Sequence, residues 1–140
     1  MKEFQNPIGN YVSYALAAAN RSVNRSLAAR LKQHGVQIEA WRIMETLDGG
    51  QRLTMGELAE IVLINPPTLS KLVDRMVSNG FVHRQVAQND HRQVNLLITA
   101  LGQKRMIQIR QEIQKQDEQI FQQLGKERTE LLIGILRGLA

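Results

Sequence analysis

A chain of 140 residues, 43% of them hydrophobic, has material for one domain around one main core, and that content excludes wholesale disorder. It holds no cysteine, which removes disulfides, thiolate metal sites and thiol-oxidation switches, and it has no apolar run near the ~20 residues of a membrane span. The net charge of +5 is unevenly spread: residues 65–105 carry six Lys/Arg against two Asp/Glu, so four of the five net positive charges fall there. Concentrated positive charge is the footprint expected of a surface that binds a polyanion.

The N-terminus lacks a basic segment followed by an apolar stretch, so no secretory signal is expected and the chain is expected in the cytoplasm. Asn6 and Pro7 read as the cap and first turn of a helix that stops at Gly35. Along it Ile8, Val12, Leu16, Ala19, Val23, Leu27 and Leu31 recur mostly every fourth residue and form one apolar stripe. So small a chain cannot cover a stripe of that length, which predicts a partner subunit. Ala40, Ile43, Met44 and Leu47 share one face of a second helix, ended by Asp48-Gly49-Gly50.

The middle of the chain carries the sharpest local signals. Thr54 and Glu57 have the spacing of a capping box, with Leu53 and Leu58 at the flanking staple positions. A short helix follows, with Leu58, Ala59 and Val62 inward. After Leu63-Ile64, Asn65-Pro66-Pro67 caps and opens another helix, whose inner face is Leu69, Leu72, Val73, Met76 and Val77. Asn79-Gly80 ends it, and Phe81 falls where a Schellman turn brings an apolar side chain back onto Met76. Short helix, tight turn and amphipathic helix together have the shape of a helix-turn-helix.

Two alternating runs come next, Val82 to Val86 and Val94 to Ile98, with polar Ala87 to Gln93 between them. They predict a β-hairpin with a long tip, that is, a wing. Thr99 caps a final helical stretch in which Met106, Ile109, Ile113, Ile120 and Leu124 form a seam of nearly coiled-coil spacing. Gly125 breaks it, and Leu131, Leu132, Ile135, Leu136 and Leu139 give the last segment a strongly apolar face. The expected fold is mainly α with a small β-hairpin wing: a winged helix-turn-helix flanked by N- and C-terminal dimerisation helices. Residues 1–140 form one domain in this reading, with 1–35 and 100–140 as dimerisation helices and 36–99 as the winged lobe.

The outward face of the second helix of the helix-turn-helix suits the DNA major groove, where Pro67, Thr68, Ser70, Lys71 and Arg75 can reach bases or phosphates. Asn65 stands at its entry. Arg84, at the base of the hairpin, can position the wing or meet a phosphate, and at its tip Asp90 can orient Arg92 toward a narrow minor groove. His34, His83 and His91 lie on different elements, no His/Asp/Glu cluster has metal-ligand spacing, and no phosphate loop or nucleophile elbow is present. No catalytic residue, metal or cofactor is therefore expected. With only 4% aromatic residues, the strands lack the stacking side chains of an RNA-binding sheet. The alternative is a helical dimeric protein-interaction module without DNA binding, but it does not explain the basic hairpin.

The stretch from Asn65 to Gly102 resembles the MarR family of transcriptional regulators. The resemblance rests on Thr68 with Val73-Asp74-Arg75-Met76, on Gly80-Phe81-Val82-His83-Arg84, on Asp90-His91-Arg92, and on Ile98-Thr99-Ala100-Leu101-Gly102. It departs in Gln37, where the family often has a capping Ser/Thr, and in the double proline at the recognition-helix entry. It implies a homodimer with interleaved first and last helices, acting as a ligand-responsive repressor on a pseudo-palindromic operator in double-stranded DNA, with Asp90 orienting Arg92 in the minor groove. It also implies a small aromatic or phenolic effector between the dimerisation helices and the lobe, to which Tyr14, Trp41, Arg42 and Met106 could contribute.

Overall fold

The computed structural model describes residues 5–50, 53–86 and 94–140. Among the described residues, six helices and one hairpin follow in the order α1 (Val12–Lys32), α2 (Ile38–Asp48), α3 (Met55–Val62), α4 (Pro66–Ser78), β1 (Val82–Val86), β2 (Val94–Ile98), α5 (Ala100–Leu124) and α6 (Lys126–Leu139). The strands pair antiparallel with Val82 opposite Ile98 and Val86 opposite Val94. The core collects Leu27 and Leu31 of α1, the inner faces of α2, α3 and α4, Val82 and Leu96 of the hairpin, and Met106 and Ile109 of α5. Among the described residues, no helix is long and apolar enough to cross a membrane.

Local chemistry sets most boundaries. Thr54 accepts from the Glu57 amide and the Glu57 carboxylate accepts from the Thr54 amide, both at 3.1 Å, which completes the capping box. The Thr54 backbone amide first, and the neighbouring Thr54 hydroxyl second, hold the Glu57 carboxyl below its ordinary pKa. The Asn65 carboxamide oxygen accepts from the Thr68 amide at 2.9 Å, with Pro66 and Pro67 in the first turn where a missing N–H is tolerated. At the other end of α4, Gly80 takes φ of +81°, and the Phe81 amide reaches back to the Met76 carbonyl at 3.0 Å, as a Schellman turn requires.

The start of α1 departs from the sequence expectation. The helix begins at Val12 behind Tyr11, which makes no side-chain cap. Asn6 instead folds on itself: its side-chain oxygen accepts from the Ile8 amide at 3.1 Å, and its amide nitrogen donates to the Tyr14 hydroxyl at 3.0 Å. Asparagine offers its own backbone this turn in competition with a helix start, and here the turn wins. The expected stripe is also only partly covered. Leu27 and Leu31 are buried, whereas Val12 is 68% and Leu16 40% exposed. Likewise α6 buries none of its residues.

At the junction of hairpin and α5, Thr99 caps α5 through the Gly102 amide and donates its hydroxyl to the Gly80 carbonyl. A Cβ on Gly102 would lie 2.4 Å from the Phe81 carbonyl oxygen, so only glycine lets α5 approach the base of the hairpin this closely. Further along α5, Gln116 is buried against α1, accepting from Ser26 and from Arg30 at 2.9 and 3.0 Å. It interrupts the apolar seam between Ile113 and Ile120 and its partners satisfy it, as a buried amide requires.

Candidate nucleic-acid interface

The exposed side of α4 presents Pro67, Thr68, Ser70, Lys71, Asp74 and Arg75, while Leu69, Leu72, Val73 and Met76 are buried beneath it. Four helical positions separate Lys71 from Arg75, so both cations lie on one face. The amide ends of this helix are already occupied. Pro66 and Pro67 have no N–H, the Thr68 amide bonds to Asn65 Oδ1, and the Leu69 amide bonds to the Asn65 carbonyl at 2.9 Å. Backbone donors there are spoken for, so any anion must be met by side chains and the residual helix dipole. The Asn65 oxygen, likewise, is committed to the cap.

Arg84 resolves its two sequence-level options geometrically. It shares the inward side of β1 with buried Val82 and lies opposite Leu96, and its guanidinium pairs with Asp74 of α4 at 2.5 Å. The wing is thereby tied to the helix in front of it. Asp74 is the only acidic residue of α4, so this pairing also neutralises the one negative charge on the face that carries Lys71 and Arg75. Asp74 as the partner of Arg84 was missed by sequence reasoning; the only signal was that it is the one acid on a helix face that carries Lys71 and Arg75. Asp90 and Arg92 lie outside the described residues.

The four side chains expected at an effector site sit in different surroundings within the chain. Met106 is 1% exposed and belongs to the core. Tyr14 borders a groove along α1 with Ala18, Arg21 and Arg25. Arg42 donates to the Val62 carbonyl at 3.4 Å, tying α2 to α3. Trp41 packs partly buried against the core, and its indole N–H has no partner among the described residues. Gln37, as its departure from the family pattern suggests, gives α2 no side-chain cap.

Ion pairs hold α5 to the rest. Arg110 bonds to Glu45 at 2.6 Å and Asp48 at 2.8 Å across to α2, which raises the pKa of its guanidinium. Glu112 meets Arg30 and His34 at 3.5 Å and Lys115 at 3.8 Å. Desolvation pushes its carboxyl pKa up, but His34, Lys115 and Arg30 outweigh it and the net displacement is downward. No group of three or more His, Asp or Glu among the described residues could hold a metal ion.

Comparison with known proteins bears on the family and the fold. A family model described as the MarR family matches residues 34–93. The chain is 29% identical over 129 residues to the HTH-type transcriptional regulator FarR of Neisseria gonorrhoeae, covering 92% of this chain and 88% of that protein. Among solved structures, NadR in complex with 4-hydroxyphenylacetate is 28% identical with a TM-score of 0.81, covering 99% of this chain and 97% of that one. The repressor CouR, bound to a 23-mer DNA duplex, shares the fold at a TM-score of 0.90 and 17% identity, with 99% of both chains covered.

Proposed function

We propose that the chain is a winged helix-turn-helix transcriptional regulator of the MarR family, whose model it matches over residues 34–93, and that it represses transcription as a homodimer on a pseudo-palindromic operator. Residues 36–99 are the DNA-binding lobe in this reading, and residues 1–35 and 100–140 carry the dimer. The observation that carries it is the face of α4, where the Asp74–Arg84 pair offsets the one acid of that helix and leaves Lys71 and Arg75 without an ion-pair partner among the described residues. Thr68, Ser70 and Pro67 reach base edges, Lys71 and Arg75 reach guanines or phosphates, and Asn65 holds the entry of the helix. Arg84 sets the wing, and Arg92, oriented by Asp90, enters the minor groove.

Dimerisation is supported by the exposed apolar side chains of both terminal segments, among them Val12, Leu16, Leu131 and Ile135. A small aromatic or phenolic effector that prefers the conformation with poor DNA affinity would release the operator. NadR holds a ligand of this class. Of Tyr14, Trp41, Arg42 and Met106, the partly buried Trp41 with its unpaired N–H is best suited to meet a ligand oxygen; Met106 would act by packing behind the site. The test is a mobility-shift titration of genomic fragments at low salt. Salt-dependent shifts at a few sites are expected, and no shift on any fragment rejects the reading.

A further inference from the structure

Two helices, α1 and α5, reach from the proposed dimerisation region into the core of the lobe. The turn from α1 to α2 passes through Gly35, at φ of +67°. Between that turn and the last turn of α4 lies a cavity of about 190 Å³, with Gly35, Val36 and Gln37 on one side and Arg75, Asn79 and Phe81 on the other. Met44, Leu72 and Met76 pack at its floor as part of the core, but its two rims do not meet across it. One side chain connects the rims. Arg105 of α5 donates to the His34 carbonyl just past the end of α1, and its guanidinium lies 5.6 Å from the centroid of the Phe81 ring at the α4–β1 junction. Both contacts suit a planar cation: the carbonyl belongs to the negative end of a helix, and the ring face attracts positive charge.

We propose that Arg105 is a positioning residue that latches the end of α1 to the base of α4, and so sets the angle at which each lobe of the dimer offers its recognition helix. This rests on the reading of a dimer on two half-sites, and it adds a consequence. A protein that docks two helices on one duplex face prefers one half-site separation. If Arg105 sets the lobe angle, its loss must blur that preference while leaving each half-site's base preference alone, because Arg105 lies outside the α4 face.

Selection from a fully randomised duplex library tests the idea in the intact protein. The wild type is expected to recover one half-site sequence at one separation, and Arg105→Ala the same half-sites at scattered separations. Arg105→Lys, which keeps a donor for the carbonyl but not the stacking plane, is expected to fall between them. Arg105→Ala recovering a single unchanged separation at lower affinity would overturn the latch and leave Arg105 a structural residue. A second measurement needs no DNA. Because the chain has no native cysteine, Ala29→Cys and Ser78→Cys can be spin-labelled together and diluted into unlabelled protein, which reads the distance from α1 to α4 within one chain. A single narrow distance that broadens in Arg105→Ala is expected; identical distributions refute the proposal. Should the wild type recover no duplex at all, the regulator reading falls, and the label distances alone decide the latch.

Discussion

Helices α4 and α6 are nearly equal in length, 13 and 14 residues, and both carry a continuous apolar face. Their fates differ. In α4, Leu69, Leu72, Val73 and Met76 are buried in the core, chiefly against α3 and the hairpin, whereas in α6 nothing is buried. Apolar periodicity says that a face will be covered; it does not say by which chain. The core of the lobe is closed within this chain, with Leu27 and Leu31 of α1 and Met106 and Ile109 of α5 completing it, while α6 and the first half of α1 leave their apolar residues exposed, the face proposed for a second copy. The two regions should accordingly respond in opposite ways to dilution and to mutation.

The largest expected effect breaks the second region alone. Replacing Leu132 and Ile135 together by glutamate puts charges on the face assigned to the partner, and sedimentation should then show complete conversion of dimer to monomer with the lobe's helices retained. In the wild type the midpoint of thermal unfolding should rise with protein concentration, as mass action requires of a dimer; a midpoint independent of concentration would remove the distinction between the regions. Within the lobe, Leu69→Ala empties a fully buried position and should lower stability by about 2–5 kcal/mol in denaturant titrations, with no change of oligomeric state.

Gly102→Ala tests the seam where the two regions meet. A methyl 2.4 Å from the Phe81 carbonyl must displace backbone, and about 1–3 kcal/mol of stability should be lost. Lys71→Ala leaves the fold intact and sharpens the functional side of the comparison: operator affinity should fall for every sequence tested, and the salt dependence should flatten by about one unit of slope. Thr68→Ala should instead change which bases are preferred, by about 1–3 kcal/mol at the contacted position.

The smallest effect concerns the start of α3. Thr54→Ala removes one half of the capping box and should cost about 0.5–2 kcal/mol. Glu57, whose carboxyl is held below its ordinary pKa in the folded chain, stabilises the lobe above the usual carboxylate range, and that contribution fades as pH falls through its folded value. Glu57→Gln should therefore flatten the acid limb of the lobe's stability profile and leave the neutral limb unchanged in slope.

What could be read from the residues alone is what is decided within one or two turns of chain. The Thr54–Glu57 box, the Asn65 cap ahead of two prolines, the Gly80 turn with Phe81 folded back, and the Thr99 cap all join groups a few positions apart, so their geometry follows from spacing. The winged helix-turn-helix and its outward cations were legible for the same reason. Asn6 misled because a local Asx turn and a helix cap use the same oxygen over the same distance, and no sequence rule ranks them.

Tertiary structure alone decided the pairings across elements. Arg84 could have met a phosphate, and it took Asp74 only because strand pairing placed it beside α4. Gln116 lies inside an apolar seam, and its partners Ser26 and Arg30 come from α1, some 90 positions away in sequence. Arg105 meets His34, 71 residues away in sequence, and Arg110 meets Glu45 across 65. Hydrogen bonds and ion pairs act over a few ångströms, so a residue's partner is set by which segments packing brings together, and that packing is a property of the whole fold.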